Sequence, residues 1–126
     1  MSFLKKYWKS LLAAATIFYL CTLRTPPVDI IPPFPHFDKV VHFGLFLILA
    51  FCLAWDNRRS LSSWRKFQRI RILVLLPAAY GAIIEILQGV FFPPRTADLW
   101  DFAADTAGAL LVYFFFQRLK SSAIQA

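Results

Sequence analysis

Four apolar runs, at about 10–23, 40–55, 72–92 and 99–117, take up most of this 126-residue chain. Nothing constrains its fold more. The bilayer core offers no hydrogen-bond partner to backbone groups, so an apolar run of about 20 residues crosses it as a helix. One small soluble core has no room for all four runs: hydrophobic residues are 59% of the chain, where a soluble domain averages nearer half. The expected fold is therefore all-α, a four-transmembrane-helix bundle forming a single domain over 1–126, with helices at approximately 8–23, 39–55, 72–92 and 99–117. The first run is short, but Lys9 and Arg24 can snorkel from its ends, and Tyr7, Trp8 and Tyr19 suit the interfaces. A cleaved signal peptide is the rival reading of this segment, with Lys5 and Lys6 as its charged start. No small-x-small cleavage site follows, which favours a retained helix. Pro77 interrupts the third run and predicts a kink there.

The charges orient the bundle. Lys5, Lys6 and Lys9 precede the first helix. Arg58, Arg59, Arg65, Lys66, Arg69 and Arg71 separate the second and third, and Arg118 and Lys120 follow the fourth. Eleven of the fourteen basic residues thus fall on one side, leaving Arg24, Lys39 and Arg95. The positive-inside rule puts the eleven in the cytoplasm, so both termini are expected inside. This distribution also excludes nucleic acid as the reason for the net charge of +7, because the basic residues flank apolar runs and do not form one polar surface. Acids are biased the other way. Asp56 alone lies on the inner side, while Asp29, Asp38, Glu85, Asp98, Asp101 and Asp105 lie in or near the outer half. Cys21 and Cys52 are expected near opposite faces, too far apart for a disulfide. The outer segment 25–37 holds Pro26, Pro27, Pro32, Pro33 and Pro35 among apolar residues. It reads either as a stiff segment on the bilayer interface or as a simple rigid connector.

Charge within the apolar runs points to a site. An Asp near a helix centre costs on the order of 2.5–3.5 kcal/mol to insert, and such residues face a bundle interior or an aqueous cavity. Asp98, Asp101, Asp105 and Gly108 recur at i, i+3, i+7 and i+10, one stripe on the fourth helix. Glu85 and Gln88 share a face of the third. Asp38 and His42 share a face of the second, with Lys39 between them. Glu85 and Asp105 fall at similar depths, roughly 10 Å below the outer boundary at 1.5 Å per residue. The expected pocket therefore comprises Asp38, Lys39, His42, Glu85, Gln88, Arg95, Asp98, Asp101 and Asp105, and it faces outward. Gly108, with Ala104 and Ala107 nearby, permits close helix packing.

The run Asp38-Lys39-Val40-Val41-His42-Phe43, followed by Glu85-x-x-Gln88 and then Arg95, Asp98, Asp101, Asp105 and Gly108, resembles the VanZ-like family of small bacterial membrane proteins. The similarity spans about residues 38–112. The family is named after a protein linked to low-level teicoplanin resistance. The resemblance implies a multi-pass protein of the bacterial inner membrane with an envelope-related role, and it implies no defined reaction. Two positions depart from the family pattern: Asp105 stands where Asn is common, and Val112 where a second small residue is common.

Three readings of the pocket stay open. It binds an extracytoplasmic ligand, such as a lipid-linked envelope precursor or a glycopeptide, with Lys39 and Arg95 on phosphate or carboxylate groups. It is an enzyme site, with His42 moving protons and Glu85 paired with Asp101 or Asp105 as acid and base. Or it is a salt-bridge network that orders the bundle. Catalytic residues are not assigned. P-loop, dinucleotide, Cys-rich zinc and serine-nucleophile motifs are missing, so no cofactor is expected. The acids suit a hard cation, but no compact ligand motif is present and no metal is assigned. The expected partners are the lipid bilayer and such a ligand. Nothing in the sequence marks an oligomeric state.

Overall fold

The computed structural model describes residues 2–23, 37–91 and 98–125, and these are helical with no strand among them. Helix α1 spans Phe3–Phe18 and runs into a π turn at Tyr19–Leu23. Helix α2 is Phe37–Asp56, α3 is Arg58–Leu61 and α4 is Lys66–Ile70. A second π turn, Arg71–Leu75, leads into α5 at Leu76–Phe91, and α6 is Leu99–Gln125. The proline-rich segment after Arg24 lies outside the described residues.

Among the described residues, three stretches are long and apolar enough to cross a membrane: Lys39–Asp56, Lys66–Phe91 and Leu99–Leu119. Their outward faces carry large apolar side chains, among them Ile48, Phe51, Ile83, Ile86, Leu111, Phe114 and Phe115, all exposed. A surface of this kind matches lipid as its surroundings. With its π turn, α1 covers 21 residues but carries Lys5, Lys6 and Lys9 in its first half. It begins five residues earlier than position 8, capped by Ser2, whose hydroxyl accepts the Lys5 N–H at 3.4 Å. Tyr7 breaks its helical geometry (φ −106°, ψ 18°), setting a basic first turn apart from the apolar remainder.

The third run also differs from expectation. The stretch 56–71, expected as a loop, contains α3, and helix resumes at Lys66. The disturbance at Pro77 takes the form of a π turn before it. Proline lacks the N–H that would reach the Leu73 carbonyl, and its ring crowds that turn. A wider turn relieves the crowding, and the Leu76 N–H reaches back to the Arg71 carbonyl. The fourth helix continues past 117 to Gln125.

The core joins all the long helices. Phe46, Ala50 and Ala54 of α2, Leu73 of the second π turn, Ile84 of α5 and Ala109 of α6 are fully buried. α2 and α6 form the most extensive contact, along a seam where Gly108 and three alanines lower the side-chain bulk. Near its N-terminus, α1 is clamped to the end of α2. The Ser10 N–H and hydroxyl both donate to Asp56 Oδ2, at 3.1 and 2.7 Å, and the Tyr7 hydroxyl donates to Asn57 Oδ1 at 2.8 Å. Cys21 and Cys52 are both thiols.

Candidate functional site

His42, one turn into α2, is the centre of a buried polar cluster at the end of the bundle where α2 and α6 begin. Its Nδ1 lies 2.8 Å from Asp105 Oδ1 on α6 and 3.7 Å from Glu85 Oε1 on α5. Its Nε2 lies 3.7 Å from Asp101 Oδ2, one turn above Asp105. Only the first distance is a hydrogen bond; the others are electrostatic contacts. All four side chains are buried, Asp105 completely. Three helices supply them because their period returns to the same face every three to four residues.

Lys39 sits one turn above His42. Its ammonium contacts Asp98 Oδ2 at 3.1 Å and Asp101 Oδ1 at 3.4 Å. Asp98 precedes α6 and caps it, accepting the Trp100 N–H on Oδ1 at 2.8 Å. The Lys39 hydrogen bond, aided by that cap, holds the Asp98 carboxyl below the usual carboxylate range. The Asp98 N–H in turn donates to Glu85 Oε2 at 2.9 Å, so α5 grips the residue that starts α6. Glu85 Oε1 and Asp105 Oδ2 are buried without a hydrogen-bond partner among the described residues. Asp105 Oδ2 faces Gly81 of α5, where a Cβ would stand 2.7 Å away. One ligand atom from each of His42, Glu85 and Asp101 lies within 4.8 Å of the other two.

The sequence matches a known family: the VanZ/LLP1 family model covers residues 1–120. The chain belongs to the VanZ/LLP1 family. Comparison with curated proteins and with solved structures gives no significant match.

Of the VanZ-like pattern, Lys39, His42, Glu85, Asp98, Asp101 and Asp105 come together in one connected network. Gln88 does not join it. Its amide turns to α1 and donates to the Cys21 carbonyl at 2.5 Å, satisfying an acceptor in the first π turn. Asp38 lies in the first turn of α2, but its side chain is outside the described residues, as is the whole of Arg95. At position 105, where the family commonly has Asn, either residue offers an oxygen to the His42 N–H. Sequence reasoning passed over Gly81, whose lack of a side chain makes room for Asp105. It lies four residues before Glu85, on the same helix face. The clamp between α1 and the end of α2 was also passed over. Its signal was Asp56, the one acid on the basic side, together with Tyr7 and Ser10 spaced i, i+3.

Proposed function

We propose that this VanZ/LLP1 protein crosses the bacterial inner membrane four times with both termini in the cytoplasm, and that its His42-centred cluster faces outward and binds an extracytoplasmic, envelope-related ligand. The carrying observation is the burial of His42, Glu85, Asp101 and Asp105 in one cluster within an apolar bundle. Burial of this many ionisable groups is costly, and in membrane helices such groups mark substrate or ion pathways. Lys39 at the outer edge offers a cation to a phosphate or carboxylate, as does Arg95 by its place in the sequence. The acids accept from hydroxyls or amides. Lipid-linked envelope precursors and glycopeptides present these groups, and altered teicoplanin susceptibility is the expected phenotype.

Two alternatives each have an observation behind them. The Lys39 contacts to Asp98 and Asp101 favour a structural network that only orders the bundle. The His42–Asp105 hydrogen bond favours an enzyme acting on a lipid-linked substrate, since a carboxylate there orients the imidazole for proton transfer.

Binding is tested by thermal unfolding of the protein in nanodiscs, with a lipid-linked peptidoglycan precursor or teicoplanin added. A ligand at a hundred times its Kd stabilises by about 2.7 kcal/mol, so a raised midpoint is expected for one of the two probes and a lost shift for Lys39→Gln. No shift with either probe would remove the binding reading. Topology has its own test. With Cys21 and Cys52 replaced by alanine, single cysteines at Ser62→Cys and Thr96→Cys should react with an impermeant maleimide from opposite sides of the membrane, and labelling of both from one side would overturn the four-span arrangement.

A further inference from the structure

We propose that His42, Glu85 and Asp101 hold a divalent cation of the Mn²⁺ or Zn²⁺ class, with Asp105 as the residue that positions His42; the proposal rests on reading the cluster as a binding site and gives that site an inorganic component. These three residues come from three helices, all are buried, and each brings a ligand atom within 4.8 Å of the other two.

The hydrogen-bond pattern is the independent observation. Asp105 Oδ1 engages His42 Nδ1 at 2.8 Å. With the proton on Nδ1, the Nε2 lone pair is left to coordinate, the arrangement that carboxylates impose on metal-bound histidines. Nε2 then lies 3.7 Å from Asp101 Oδ2. That is too long for a hydrogen bond. It is close to the roughly 3.0–3.6 Å between two atoms each bonded at about 2.1 Å to a common ion. Glu85 reaches the same place differently. Its Oε2 is held by the Asp98 N–H, while Oε1, buried with the rest of the side chain, has no hydrogen-bond partner among the described residues; it lies 3.7 Å from His42 Nδ1, and the three side chains still bring one ligand atom each within 4.8 Å of one another.

Charge selects the kind of occupant. Three carboxylates and one imidazole lie in a low-dielectric site, where neighbouring acids do not all ionise without a cation. Lys39 reaches Asp98 and Asp101 at the outer edge, and the inner acids Glu85 and Asp105 face His42. A divalent ion below Lys39 offsets the remaining charge. Imidazole with carboxylates and no sulfur suits Mn²⁺ or Zn²⁺ over Cu(I) or an iron–sulfur cluster, and the imidazole distinguishes the site from all-oxygen Mg²⁺ or Ca²⁺ cages.

The test uses the full chain in detergent, stripped with chelator and dialysed, then titrated with Mn²⁺ alone. Free ion is followed by electron paramagnetic resonance and binding by calorimetry. One saturable Mn²⁺ per chain is expected, displaced by Zn²⁺. Glu85→Gln and Asp101→Asn should each bind at least tenfold more weakly while eluting as wild type on size exclusion. Tyr7→Phe, which removes a hydrogen bond to Asn57 far from the cluster, should bind as wild type. Should a ligand variant misfold, X-ray absorption of the Zn²⁺-loaded wild type reads the shell directly, with one imidazole and otherwise oxygen donors expected. Absence of saturable binding by monodisperse wild type, binding indifferent to both ligand substitutions, or a sulfur-containing shell would each overturn the proposal. The two readings separate cleanly. An envelope phenotype lost in Glu85→Gln without any Mn²⁺ binding removes the cation alone, whereas Mn²⁺ binding with a phenotype that follows protein abundance removes the envelope role alone.

Discussion

Gly108→Ala is expected to cost more stability than any other single-methyl addition to the helices. A Cβ at this position meets the Phe43 carbonyl oxygen and comes to 2.9 Å from the Leu47 nitrogen. Both are backbone atoms of α2, so no side chain can swing aside and the helices must separate along their largest contact. Overpacking of this kind costs about 1–3 kcal/mol, and more where the obstacle is rigid. Gly81→Ala should be nearly as damaging, because its Cβ would strike Asp105 Oδ2 while the other oxygen of that carboxylate is committed to His42. Gly44 supplies the control. Nothing lies within 4 Å of a Cβ built there, so Gly44→Ala should be neutral or stabilising by up to about 1 kcal/mol through helix propensity. Thermal midpoints of the three variants in one detergent give the comparison. An unshifted midpoint for Gly108→Ala would mean that the α2–α6 seam is looser than its geometry.

Glu85→Gln should abolish the envelope phenotype and leave the fold standing. An amide fits the volume, and its oxygen can keep accepting the Asp98 N–H that Glu85 Oε2 accepts at 2.9 Å. The new NH₂ would take the place of the unpartnered Oε1, 3.7 Å from His42 Nδ1. Removing one buried carboxylate from a crowd of three also relieves repulsion, so the melting temperature should stay within a few degrees or rise. What disappears is the negative charge that would hold a cation or fix the protonation of His42. Teicoplanin susceptibility, membrane abundance and melting temperature, measured together for this variant, separate function from scaffold. Activity falling only in step with the amount of protein would assign the cluster to bundle order.

Much of this architecture was legible in the sequence, and for physical reasons. Hydropathy reveals helices in a membrane chain because lipid leaves the backbone no alternative pairing. The facing of His42, Glu85, Asp101 and Asp105 follows from 100° per residue and 1.5 Å of rise. Other features depend on partners that no local pattern announces. Gln88 shares a helix face with Glu85, yet its amide donates to the Cys21 carbonyl of the first π turn instead of joining the cluster. Pro77 announced a disturbance, but its form depends on how the preceding turn is packed, with Leu73 and Val74 buried in the core. The break at Tyr7 goes with the reach of its hydroxyl to Asn57, 50 residues away in sequence. Arg69, counted among the loop cations, is buried because helix begins at Lys66 and carries it inward.

The order of residues along the chain has a consequence for biogenesis. The helix hardest to leave in lipid is α6, which brings Asp101 and Asp105 into the bilayer, and each acid near a helix centre opposes insertion by on the order of 2.5–3.5 kcal/mol. Their partners His42 and Lys39 stand on α2, some 60 residues earlier. At roughly 5–20 residues per second of synthesis, α2 emerges several seconds ahead of α6. The last helix therefore enters a membrane in which its polar partners are already waiting, and Glu85 of α5 has only to take hold of the Asp98 N–H to set where α6 begins. A rearranged chain with α6 made first would have to carry the same acids into lipid unaccompanied, and quality-control proteases would meet it there.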